Sequence, residues 1–133
     1  MRPRAALRPG LKVRIEKVIP FEWTIAQYNA ALPPVLSTPA MIGMMEVAAA
    51  RAIQPALPRG AISVGTRIEV DHLKAVPAGT RVSASARLTR LKGRFVEFSV
   101  EARAGRVVIG RGKVFRAVVE PKKFHAKARK RKK

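Results

Sequence analysis

Three side chains carry groups suited to acid, base or nucleophilic work: the hydroxyl of Thr38, the carboxylate of Glu46 and the imidazole of His72. Glu46 is the one charged residue in STPAMIGMMEVAAA, positions 37–50. An ionised carboxylate withdrawn from water is costly unless it is paired, so an acid in such a run needs a solvated gap, a partner or a shifted pKa. A histidine beside it could share a proton or form a charged pair, and either arrangement sets up general-base or nucleophilic chemistry. Thr38 adds a hydroxyl at a helix start, where free backbone amides can stabilise an oxyanion. Each residue also has a plain structural reading: Glu46 at a wet gap, His72 as a strand-end histidine, Thr38 as a helix cap.

The elements that must position these groups follow from periodicity. Leu11 to Val18 alternates apolar and charged residues, as a half-buried strand does, and ends near Pro20. Residues 21–36 hold the only Trp and Tyr and the pair Pro33-Pro34, show no sustained period, and read as a loop with at most a short helical turn. Thr38-Pro39 is a helix-start signal, and the helix runs to Ile53 or Gln54, stopped by Pro55. Only Arg51 and Gln54 add clear polarity to that helix, so it is expected to be buried nearly all round. Runs of period two follow at 61–73, 81–91, 94–104 and 106–119, separated by Val76-Pro77-Ala78-Gly79, Lys92-Gly93 and Ala104-Gly105. One strand, one long helix and four strands in a meander predict an α+β fold in which a curved antiparallel sheet wraps one long buried helix. On the run from Ala61, alternation puts Val64, Thr66, Ile68, Val70 and His72 on the helix-facing side, with Gly65, Arg67, Glu69 and Asp71 on the other.

Composition narrows the class. At 133 residues the chain is expected to form one domain over 1–120, followed by a basic tail over 121–133. Without cysteine there is neither a disulfide framework nor a thiolate zinc site, and no metal is expected. No apolar run approaches the ~20 residues that cross a bilayer, and no export signal is read, so the expected location is cytoplasmic. The formal net charge is +20, and eight of those charges lie from Lys122 onward with no intervening acid. Such a segment suits phosphates, whether of nucleic acid or of an acidic ligand, and it is equally a solvated end. The second histidine, His125, falls within it and is expected to be solvated.

Thr38 and Glu46 within STPAMIGMMEVAAARAI, followed by SVGTRIEVDHLKAVPAGTRV with Gly65, His72 and Pro77-Ala78-Gly79, resemble the hotdog-fold thioesterases of the fluoroacetyl-CoA thioesterase type. The likeness runs from Pro9-Gly10 to about Phe124 and takes in GRFVEFSVEA and GRGKVFRAVV. It implies a hotdog fold and hydrolysis of an acyl-CoA thioester to a carboxylic acid and free CoA. It implies Thr38, Glu46 and His72 as the catalytic set, with Glu46 attacking the carbonyl or activating water, His72 transferring protons, and Thr38 polarising the site and orienting Glu46. Gly65 falls in the implied acyl pocket, and Val35, Leu36, Ile42, Met41 and Met45 suggest an apolar lining. Coenzyme A enters as part of the substrate, with no separate cofactor. The resemblance also implies a homodimer whose two sheets join, with a dimer of dimers left open. Pro33-Pro34-Val35-Leu36 lacks the aromatic expected of a fluoroacetyl-specific gate, so fluoroacetyl-CoA itself is not inferred. The residues admit two other readings. A hydratase of the same fold pairs Asp with His in a loop motif that is absent here. A non-catalytic acyl-CoA-binding or nucleic-acid-associated protein would use the basic tail.

Overall fold

The computed structural model describes residues 6–122, so the tail from residue 123, with His125, lies outside the described residues. Five strands and one long helix form in the order β1 (Lys12–Val18), α1 (Thr38–Ile53), β2 (Ile62–His72), β3 (Arg81–Lys92), β4 (Phe95–Ala104) and β5 (Val107–Val119). These bounds follow the periodic runs closely. Every neighbouring pair is antiparallel, and the sheet order is β1-β3-β4-β5-β2.

That order corrects the expected meander. β3, β4 and β5 are consecutive hairpins, each closed by a two-residue turn whose first residue is a glycine of positive φ: Gly93 at 59° and Gly105 at 60°. β2 does not join β3. The connection from Leu73 to Thr80 holds Pro77 and is too long for a tight hairpin, so β2 crosses to the far edge and pairs with β5. Each outer strand therefore has one free edge, and that of β2 belongs to the strand carrying His72.

The helix packs on one face of the sheet. Met41, Met44, Met45, Ala48, Ala49, Ala52 and Ile53 are buried against inward residues such as Val82, Ala84, Leu88, Phe98, Val100, Ile109 and Val114. Small alanines on both elements let the backbones approach, and the large side chains fill the remaining space. The helix is not buried all round, contrary to the expectation. Val47 is 42% exposed, and Ile42, Gly43, Glu46 and Ala50 are half-buried. A hydrophobic sequence alone does not bury a helix that has sheet on only one side.

Ser37, rather than Thr38, caps this helix. Its extended backbone lets the Ser37 hydroxyl accept from the Ala40 N–H at 3.2 Å, while Thr38 is the first helical residue, followed by Pro39. The Thr38 side chain is thereby released from the capping role that the sequence suggested for it. The loop before it makes two short 3₁₀ turns, Phe21–Trp23 and Ile25–Gln27, and is tied down by bridges from Thr24 to Leu36 and from Val35 to Pro77. Among the described residues no helix is long and apolar enough to cross a membrane.

Candidate active site

β2 is bulged. Its register against β5 runs regularly to Gly65↔Arg116 and resumes at Arg67↔Phe115, leaving Thr66 as the extra residue. An extra residue inverts the alternation on one side of it. Gly65 consequently shares the helix-facing side with Ile68, Val70 and His72, instead of lying opposite them as simple alternation predicted, and Thr66 leaves that side. Two positions singled out in the sequence, Gly65 and His72, thus face α1 from one strand.

They do not meet the same part of it. At the N-terminus of α1, the Thr38 Oγ1 lies 2.8 Å from His72 Nδ1. Thr38 is exposed and His72 half-buried, while the His72 Nε2 is buried and has no hydrogen-bond partner. If Nδ1 accepts the hydroxyl proton, Nε2 carries the ring N–H. A cavity of about 310 Å³ opens beside the pair, walled by Ile25, Val35, Leu36, Leu73, Lys74 and Ala75. Loop 21–36 is held against the segment after β2 by the Leu36 N–H donating to the Val76 carbonyl at 2.8 Å. Val35 and Leu36 are thus placed on this cavity, whereas Ile42 is not among its walls. Met41 and Met45, read as acyl-pocket candidates, are fully buried core residues, and Met41 packs against Gly110.

Glu46 lies two helical turns further on, an axial rise of about 12 Å, so it does not reach His72 within the chain. Its partner is Arg116, whose Nη1 donates to Glu46 Oε2 at 3.3 Å. The Arg116 guanidinium is fixed from the other side by Nε donating to Ser63 Oγ at 2.8 Å and Nη2 donating to the Ser63 carbonyl at 2.9 Å. Burial pulls the Arg116 pKa down from its ordinary value, and the Glu46 carboxylate opposes that pull. An arginine keeps its charge under such a balance, so it presents a fixed cation to Glu46. Sequence reading missed Arg116. The signal was an arginine on the inward phase of β5 between Val114 and Val118, where an unpaired charge would be costly.

Gly65 completes this second cluster. A Cβ at position 65 would collide with the Glu46 carboxylate and come within 3.7 Å of Arg116 Nη1. Gly65→Ala is therefore expected to leave the fold intact, because a flexible side chain rather than backbone must yield, and to displace Glu46. The measurement is turnover beside thermal unfolding: a fall in kcat with unchanged Tm is expected, and full turnover would show that the close approach of Glu46 is dispensable. Among the described residues no group of three or more metal-ligating side chains converges.

A central helix laid across one face of a five-stranded antiparallel sheet is the architecture of the hotdog fold, and the Thr38–His72 contact lies at the start of that helix. The model of the fluoroacetyl-CoA-specific thioesterase family, FlK, matches residues 21–122, and the chain belongs to this family of thioester hydrolases. It is 42% identical over 100 residues to the fluoroacetyl-CoA thioesterase of Streptantibioticus cattleyicolor, covering 75% of this chain and 72% of that one. A solved structure of the fluoroacetyl-CoA thioesterase FlK superposes with a TM-score of 0.88 at 36% identity, covering 95% of this chain and 98% of that chain. A thioesterase superfamily member from Thermus thermophilus gives 0.86 at 30% identity, covering 99% and 96%.

Proposed function

We propose that the protein hydrolyses an acyl-CoA thioester through Thr38, His72 and Glu46, in sites shared between two protomers. The observation that carries the reading is the 2.8 Å contact between Thr38 Oγ1 and His72 Nδ1, made by a hydroxyl that Ser37 has freed from capping. A hydroxyl within hydrogen-bond reach of an imidazole is the arrangement of an activated nucleophile and its base. Thr38 attacks the thioester carbonyl as His72 takes its proton. The C–S bond breaks, and the imidazolium returns that proton to the departing thiolate, leaving an acyl-threonine ester. His72 then deprotonates a water that attacks the ester, and Thr38 leaves with the proton, releasing the acid. Pro39 has no N–H and those of Ala40 and Met41 donate to Ser37, so the Thr38 N–H is the helix-start amide left to face the developing oxyanion. This gives Thr38 a more direct part than orienting Glu46, because in the chain the two are two turns apart.

Glu46 enters from the partner. The free edge of β2 is a ready template for an antiparallel copy of itself. Antiparallel pairing of β2 with its copy runs the Gly65 end of one strand toward the His72 end of the other. The Glu46, Gly65 and Arg116 cluster of one protomer then borders the Thr38–His72 pair of the other. Within that border the Glu46 side chain, anchored by Arg116, is suited to orient water or to stabilise the imidazolium. Mostly apolar walls at Ile25, Val35, Leu36 and Leu73 suit the acyl chain or the pantetheine arm, and Lys74 suits an anionic group of the coenzyme.

The substrate class is tested by release of free CoA from a panel of short, halogenated, medium, aryl and dicarboxylic acyl-CoAs. Turnover of at least one member is expected. Silence across the panel at high enzyme concentration would remove the hydrolase reading and leave a binding protein.

A further inference from the structure

The side of the sheet turned away from α1 carries a second constellation whose exposed side chains thioester hydrolysis does not use. Near the β3–β4 hairpin a groove of about 410 Å³ is lined by Arg67, Arg90, Lys92, Phe95, Glu97 and Phe115, and it reaches Arg116, the partner of Glu46. Register fixes these side chains on one face: Phe115 lies opposite Glu97 and Arg67, Arg90 lies opposite Glu97, and Lys92 lies opposite Phe95. All alternate with core residues such as Val96, Phe98 and Val114 that point to the helix.

Two properties of this groove are informative together. The first is exposed aromatic surface. Phe95 is 52% exposed and Phe115 is half-buried, and neither belongs to the core. Each ring carries a guanidinium over its face, Arg94 over Phe95 and Arg67 over Phe115, both at 5.2 Å from the centroid. The second is unbalanced charge. Glu97 is engaged by Thr89 at 3.1 Å and by Lys113 at 3.9 Å, and Arg67 pairs with Glu69. Arg90, Lys92 and Arg94 have no ion pair among the described residues.

We propose that this outer face binds single-stranded nucleic acid, with Phe95 and Phe115 stacking neighbouring bases and Arg90, Lys92 and Arg94 meeting the intervening phosphates. Phe95 and Phe115 are diagonal neighbours on adjacent strands, about 7–8 Å apart at the backbone, a separation that consecutive bases of an extended, unstacked strand can span. A sheet face with aromatic rings and a cationic border is a sequence-tolerant stacking platform, because every base has a π-face. Duplexes keep their bases stacked on each other and offer only phosphates. The net charge of +20 supplies the long-range attraction, and the rings supply the preference for unpaired strands. The Thr38–His72 pair lies on the opposite side of the sheet, so a bound strand leaves it open.

The test uses the full chain and labelled oligo(dT) and oligo(U) ten-mers, read by fluorescence anisotropy over a salt series. The parent is expected to bind both and to prefer them to a duplex of equal length. Phe95→Ala and Phe115→Ala leave the charge unchanged, so each is expected to weaken binding about tenfold with the salt slope retained. Arg90→Gln and Lys92→Gln, at exposed positions, are each expected to reduce the salt slope by about one. CoA release is expected to be unaltered in all four variants, which shows that they fold. Equal binding by parent and phenylalanine variants, equal affinity for duplex, or no binding at all would overturn the proposal. Displacement of the strand by CoA at comparable phosphate concentration would also overturn it, assigning the groove to a single nucleotide.

Discussion

His72→Ala is expected to lower kcat for the best acyl-CoA of the panel by about 10³-fold, and Thr38→Ala is expected to do nearly the same. The reason is the shared proton. Without the imidazole, Thr38 has no base at 2.8 Å, and without the hydroxyl, His72 has nothing to activate but water. Residues that act as one unit give strongly non-additive losses, so the double variant Thr38→Ala/His72→Ala is expected to be little worse than either single variant. Thr38→Ser keeps the oxygen and is expected to retain a substantial part of the rate. Folding is not at issue, since Thr38 is exposed and the cap belongs to Ser37. Steady-state kinetics with circular dichroism on all four proteins decides the matter. Multiplicative losses in the double variant would mean that the two residues act independently and that their contact is structural.

Mixed dimers give the second large effect. Glu46→Gln and His72→Ala, each nearly inactive as a homodimer, are expected to recover about half of the parental activity when differently tagged chains are co-expressed and the heterodimer is isolated. In a shared site, the protomer that keeps His72 meets the partner that keeps Glu46, and that one site is intact while the other carries both lesions. Sites contained within single protomers would each carry one lesion, and the heterodimer would stay inactive. The geometry favours the shared arrangement because Glu46 is directed to Arg116 and Gly65, two helical turns from Thr38. A monomer by analytical ultracentrifugation would sink this arrangement outright. Full activity of the Glu46→Gln homodimer would take Glu46 out of the catalytic set, whatever the assembly.

Local features were legible in the sequence and nearly complete. The helix from Thr38 to Ile53, its stop before Pro55, and the strands between glycine turns could be read because periodicity, caps and turn residues act over a few positions. Thr38, Glu46 and His72 stood out because charge and hydroxyl groups among apolar neighbours demand an explanation. Three decisions rested instead on contacts distant in sequence, and a fourth, the helix cap, on a choice between adjacent residues. β2 chose β5 over β3, a bulge at Thr66 turned Gly65 toward the helix, and Ser37 displaced Thr38 as cap. Arg116, seventy positions away, took the carboxylate that the sequence seemed to offer to His72. A one-residue change of register reverses every side chain beyond it, and a buried charge pairs with whichever opposite charge the sheet order delivers. Chain chemistry thus determined which residues could react and on which elements they lie; only the tertiary pairing of strands decided that Thr38 and His72 form one pair and Glu46 and Arg116 another.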